Sequence, residues 1–234
     1  AVLSRLARER RVRCVVVLLI AAIHGAIYVA LVPPWKHYDE PTHFEYAWLL
    51  ANRMRLPQES DVDQAMRREV AASMLEHGFY HDLEFDPTSL IHGKPIWIGA
   101  SELVHPPLYY VLVALPVRLL RYSDVRTQLY AGRIVSGLLY LSSIAIACGL
   151  MAELAGKDHP LSWIVPATMA LLPSYADLMT SLNNDVGAVV ALSLFLWGAA
   201  RTILRGPTAG RVAWITLAAL MCIYTKNTAA VAGF

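Results

Sequence analysis

Two adjacent carboxylates, Asp39 and Glu40, stand in the segment "WKHYDEPTHFEYAWLLA" at residues 35–51, with His43 and Glu45 close behind and aromatic residues on both sides. Three kinds of chemistry suit such a group. The first is local: Pro41 favours the first turn of a helix, and Asp39 or Glu40 would cap that helix and complement its positive end. Capping explains one acid and leaves its neighbour without a task. The second is metal binding. Glu40 and His43 are three residues apart, on one face of a helix, the spacing that di-iron bundles use together with a second copy and further glutamates. We find no second copy. A single divalent ion held by Asp39 or Glu40 with His43, His105 or Asp185 is the simpler form, and whether any cofactor is needed stays open. The third is general-base catalysis. A carboxylate at a membrane surface can take the proton of a hydroxyl nucleophile, and partial burial beside a like charge improves one member of a pair for that role.

The elements that must position these residues are apolar. Of the 234 residues, 56% are hydrophobic and 16% charged, against roughly 25% charged in soluble domains. The net charge of +2 gives no reason to expect a nucleic-acid partner; the expected surroundings are a lipid bilayer. Cys14, Cys148 and Cys222 lie in or beside apolar runs without metal-ligand spacing and read as inert thiols. An all-α, polytopic transmembrane protein with a long outer loop is the expected class.

Residues 14–32 form the first expected span, long enough for a bilayer core of about 30 Å. Arg5, Arg8, Arg10, Arg11 and Arg13 precede it in a basic segment, residues 1–13, which the positive-inside rule assigns to the cytoplasm. The apolar core is longer than that of a signal peptide, so an uncleaved anchor is expected. Further apolar segments run over 132–154, 161–180, 186–204 and 212–233, giving four more spans within 132–234. The stretch 103–120 is short and contains three prolines; we read it as a non-crossing, interfacial segment. That reading puts Arg118, Arg121, Arg126 and Arg133 outside with residues 33–131, and Arg201, Arg205 and Arg211 inside. The chain starts without methionine and stops at Phe234 within an apolar run, and a piece of a longer protein is expected.

The outer loop at 33–104 holds 12 of the 18 acidic residues. Phe44, Ala47, Trp48, Ala51 and Met54 recur at helical spacing and predict a helix lying in the membrane interface. Val62, Ala65, Met66, Val70 and Met74 predict a second helix, and "FDPTSLIHGKP" predicts loop. Glu59, Asp61, Asp63, Glu69 and Glu76 read as solubilising charges. Asn183 and Asn184 suit the cap of the helix that follows them.

In this order, "DEPTHFEY", "HPPLYYVL" at 105–112, "AGRIVSGLLYL" at 131–141 and "SLNNDVGAVVAL" at 181–192 resemble the GT-C superfamily of membrane glycosyltransferases. The likeness is nearest to bacterial family-39-like proteins related to protein O-mannosyltransferases and the lipid A aminoarabinose transferase. The resemblance implies an integral protein of a bacterial plasma membrane. It would take a sugar from a polyprenyl phosphate and pass it, with inversion, to a hydroxyl of an acceptor glycan, lipid or protein on the non-cytoplasmic face. It implies Asp39 as the base, Glu40 orienting the acceptor or holding a metal, and Asp185 in the same site, with Arg133 near the donor phosphate. Lys226 and Lys94 are further candidates for that phosphate, and His43, His105, Tyr109 and Asn184 for contacts to substrate. Two other classes are weighed against it. A transporter would place its ionisable residues near the bilayer midplane and often show repeats, whereas the acids here concentrate outside the spans. A non-catalytic scaffold of the same fold would keep the helices without the chemistry.

Overall fold

A computed structural model describes residues 2–81 and 95–233. The described residues form helices and connecting loops, without a strand. The helices are α1 (Val2–Leu31), α2 (Glu40–Arg53), α3 (Gln64–Glu76), α4 (Leu108–Leu119), α5 (Val125–Leu154), α6 (Leu161–Leu171), α7 (Pro173–Thr180), α8 (Asn184–Arg205) and α9 (Ala209–Thr225), followed by a 3₁₀ turn at Asn227–Gly233.

Three of these, α1 over Val12–Leu31, α5 and α8, are long and apolar enough to cross a membrane. In α1, Val15, Leu19, Ile23, Ile27 and Leu31 recur every fourth residue and lie exposed, while Val17 and Ala21 face the protein. An apolar stripe turned away from the protein core fits a lipid-facing surface. The expected span 161–180 is two helices. Pro173 removes an amide donor and disfavours helical geometry at Leu172, whose ψ of 113° is extended. With 12 and 17 residues, α4 and α9 rise about 18 and 25 Å.

The long helix α5 is the central post. It packs against α1, α6, α7 and α8 along its length, and against α3 and α4 near its start. Close approach requires small residues: a Cβ on Gly149 would meet the Trp197 ring at 2.5 Å, and one on Gly132 would meet Leu182 Cδ1 at 2.5 Å.

The 40–53 helix is where the fold departs most from expectation. It is enclosed by protein on more than its apolar stripe, with Phe44, Ala47, Leu49 and Ala51 in the core and Met54 exposed as a left-handed cap. It packs chiefly on α4, where Tyr46 stacks on Tyr110 with ring centroids 3.8 Å apart. Met66, Val70 and Met74 of α3 are buried as their spacing predicts, whereas Val62 is exposed.

Several acids read as solubilising instead hold the loop together. Asp61 accepts from Arg55 at 2.7 and 2.8 Å, from the Gln58 amide at 2.8 Å, and from Arg53. Asp63 caps α3, accepting from the Ala65 and Met66 amides. Glu69 accepts from the Val125 amide at the start of α5. The predicted loop at 85–95 lies almost wholly outside the described residues.

Candidate active site

Glu40 and Asp39 have separate tasks. Glu40 is fully buried and forms a two-point ion pair with Arg133, which donates from Nε to Oε1 at 2.8 Å and from Nη2 to Oε2 at 2.6 Å. The remaining Arg133 donors reach the Val32 carbonyl at 2.7 Å, Pro33 at 3.0 Å and Val29 at 3.4 Å. All five guanidinium N–H groups are therefore engaged, three of them at the last carbonyls of α1 and the residues just beyond it, where a cation is favoured. Glu40 also accepts from the Trp35 amide at 3.0 Å and from the Leu182 amide at 3.3 Å. One buried pair thus binds the end of α1, the entry to α2, the first third of the post α5 and the loop before α8.

This arrangement corrects two expectations. Arg133 is 0% exposed with its donors taken up by protein acceptors rather than open to a donor phosphate, and Glu40 is engaged by Arg133 rather than open to an acceptor or a metal. The physical reason is desolvation: a guanidinium or carboxylate taken out of water needs its charge and every hydrogen-bonding position matched.

Asp39 sits beside this anchor and is exposed. It precedes α2 in the left-handed conformation, φ 52°, and its side chain makes no capping bond. The cap comes from its backbone carbonyl, which accepts from the His43 amide at 3.2 Å and the Thr42 hydroxyl at 2.9 Å. The expected side-chain cap is therefore absent. Its carboxylate has no hydrogen bond or ion pair among the described residues. Trp35, at φ 70°, is a second strained residue in the same turn. It is held by the Glu40 bond and by its indole donating to Ser73 Oγ at 3.0 Å. Left-handed geometry at bulky residues persists only where surrounding contacts over-determine it; here those contacts fix where Asp39 points.

A set of polar side chains lies within electrostatic reach. Glu102 pairs with His105 Nε2 at 2.7 Å. Burial pushes the Glu102 carboxyl up, His105 offsets this, and Asp39 raises it again. His43 Nδ1 and the Tyr110 hydroxyl share a 2.7 Å hydrogen bond. Burial, with His105 and Lys226 nearby, lowers His43 to about 3, so it stays neutral. Lys226 Nζ donates to Asp185 Oδ1 at 2.5 Å. His105 Nδ1 and both amide atoms of Asn184 are buried without a hydrogen-bond partner among the described residues. Unsatisfied buried polar atoms are costly, and their presence here suits a site completed by a ligand.

Asp39, His43, His105, Asp185 and Lys226 are thus brought to one end of the bundle. Tyr109 is not available to substrate: its hydroxyl bonds to Ser136 Oγ at 2.8 Å and accepts from the Asn183 amide at 3.0 Å. Asn183 caps α8 by accepting from the Asp185 amide at 2.9 Å. Lys94 lies outside the described residues. Among the described residues no group of three or more His, Cys, Asp or Glu side chains gathers as metal ligands. The expected ion site from Asp39, Glu40, His43, His105 and Asp185 is not assembled, because Glu40 is taken by Arg133 and His43 by Tyr110.

Two residues of the cluster were not predicted. Glu102 and His105 form a second Glu-x-x-His, "ELVH", so the expectation of a single copy is wrong. Scanning for the spacing of Glu40 and His43 would have found it. Tyr110 was passed over for its neighbour Tyr109; helical spacing from His105 does not separate them, and only the packing against α2 does.

No protein-family model, characterised protein or solved structure matches the chain.

Proposed function

We propose that the protein is a membrane-embedded glycosyltransferase that moves a sugar from a polyprenyl phosphate to an acceptor hydroxyl, with Asp39 as the general base. The observation that carries this reading is the division between the two acids: Glu40 is fully neutralised in an anchor, and Asp39 is left exposed, unpaired among the described residues and held in a strained turn beside a polar cluster. A base must be unengaged and positioned, and Asp39 is both.

In the proposed step the acceptor oxygen attacks the anomeric carbon while Asp39 takes its proton. The bond from that carbon to the phosphate oxygen breaks, its electron pair goes to the leaving phosphate, and the configuration inverts. Lys226, 20% exposed and held by Asp185, supplies positive charge where the phosphate gains negative charge. His43, held neutral by burial, together with His105, Glu102 and Asn184, offers hydrogen bonds to sugar hydroxyls. The acids face the non-cytoplasmic side in this reading. Base catalysis contributes roughly 10²–10⁴ in rate, so positioning and charge stabilisation supply the remainder.

The test is to incubate the purified protein with radiolabelled polyprenyl-phosphate sugars in mixed micelles with total envelope acceptors. Label moving from the lipid phase to an acceptor, or to water by slow hydrolysis, is the expected result. Failure of every sugar tried, with folded protein that binds none of the donors, favours a non-catalytic scaffold.

A further inference from the structure

The opposite end of α8 carries a second constellation that the transferase reading does not use. Arg201, Thr208, Gly210, Arg211 and Trp214 line a cavity of about 250 Å³ between the end of α8 and the start of α9. Arg201, on its wall, lies about 24 Å along α8 from Asp185, by helical rise.

The cavity is cationic, with unsatisfied donors. The Arg201 guanidinium is held by the Trp197 and Trp214 rings, 5.8 and 6.0 Å from their centroids, and by a long 3.6 Å contact from Nε to Glu153. Its two terminal nitrogens have no hydrogen bond among the described residues. Arg211 uses Nη1 on the Arg205 and Gly206 carbonyls, at 2.9 and 2.5 Å, which leaves Nε and Nη2 free among those residues. Glu153, the one acid in contact among the described residues, is shared with Arg205, so the three arginines exceed it in charge by two. Thr208 caps α9 by accepting from the Arg211 amide at 3.3 Å. The amides of Ala209 and Gly210 have no acceptor among the described residues, and a Cβ on Gly210 would meet nothing within 4 Å. Two forked guanidinium groups and open amides at a helix start together make a phosphate-shaped set of donors. Ile203, Leu204 and Val212, all more than half exposed, give the same corner an apolar rim.

We propose that this cavity binds the phosphate of an anionic phospholipid headgroup, with the acyl chains lying along Ile203 and Val212. A soluble phosphate would use the donors but not the rim. The site is independent of Asp39.

The protein in detergent is titrated with phosphatidylglycerol, phosphatidylcholine and inorganic phosphate, and the rise in its thermal midpoint is followed. Phosphatidylglycerol stabilises the wild type saturably. Arg201→Gln and Arg211→Gln each raise the half-saturating concentration roughly tenfold, the loss of one charge-assisted contact. Gly210→Leu adds an apolar side chain at a residue lining the cavity, keeps every charge, and gives the same loss. The proposal is overturned if Gly210→Leu responds as the wild type does. It is equally overturned if phosphatidylcholine stabilises as well as phosphatidylglycerol, or if inorganic phosphate alone does so at matched phosphate concentration.

Discussion

Changing Glu40 to Gln removes one charge and almost no volume. Arg133 then stays buried without its counter-ion, and one amide N–H of the new side chain is turned toward a guanidinium nitrogen that stood 2.6 or 2.8 Å from a carboxylate oxygen. The Trp35 and Leu182 amides also lose a charged acceptor. Breaking a buried pair by removing one partner costs about 3–5 kcal/mol. At this chain length each kcal/mol shifts the midpoint by roughly 2–4 °C, so a fall of about 6–20 °C is expected. The assay is thermal unfolding of purified protein in detergent, followed by tryptophan fluorescence, because Trp35 lies in the turn that Glu40 holds. Asp39→Asn is the internal control. Its carboxylate makes no hydrogen bond or ion pair among the described residues and Asn tolerates the left-handed region, so its stability stays within about 0.5 kcal/mol of the wild type. A Glu40→Gln midpoint within 2 °C of the wild type, on this scale under about 1 kcal/mol, would falsify the anchor assignment.

Other outcomes follow from the same geometry. His43 is lowered from 6.5 to about 3 by burial, so between those values the unfolded chain binds a proton that the folded one does not. Stability therefore falls as pH drops below about 6.5, by about 2 kcal/mol from this group at pH 5, and His43→Gln reduces the difference between unfolding midpoints measured at pH 7.5 and 5. His37, also lowered by burial and only partly compensated by Glu40 and Asp177, adds a change of the same sign that persists in that variant. Gly149→Val forces atoms into the Trp197 ring and lowers stability by about 1–3 kcal/mol in a denaturation series. Glu102→Gln leaves the fold intact and shifts the acid limb of the transfer pH profile, because its carboxyl is raised and faces both His105 and Asp39.

What the sequence made legible was what depends on neighbours along the chain. The apolar runs at 14–32, 132–154 and 186–204 each became a long helix, because composition over about 20 residues decides that outcome. The Asp39–Glu40 pair was visible as unusual, and its placement before a proline-started helix followed from local rules. Which acid was structural was not legible, because the deciding partner, Arg133, lies on another helix and is identified only by packing. The same limit explains α2. Its apolar stripe predicts one buried face, but the opposite face is covered by α4, which no periodicity within residues 40–53 reveals. Pro173 was readable as a break and was outweighed by the continuous apolar run around it. Glu102 was legible in principle, since the spacing that singled out Glu40 and His43 recurs in "ELVH".

Sugar transfer by Asp39→Asn, compared with wild type at equal amounts of folded protein and saturating donor, tests the central claim most directly. The account predicts a loss of about 10²-fold or more in rate with the unfolding midpoint and donor binding unchanged. Transfer at the wild-type rate would contradict it and remove Asp39 from the chemistry.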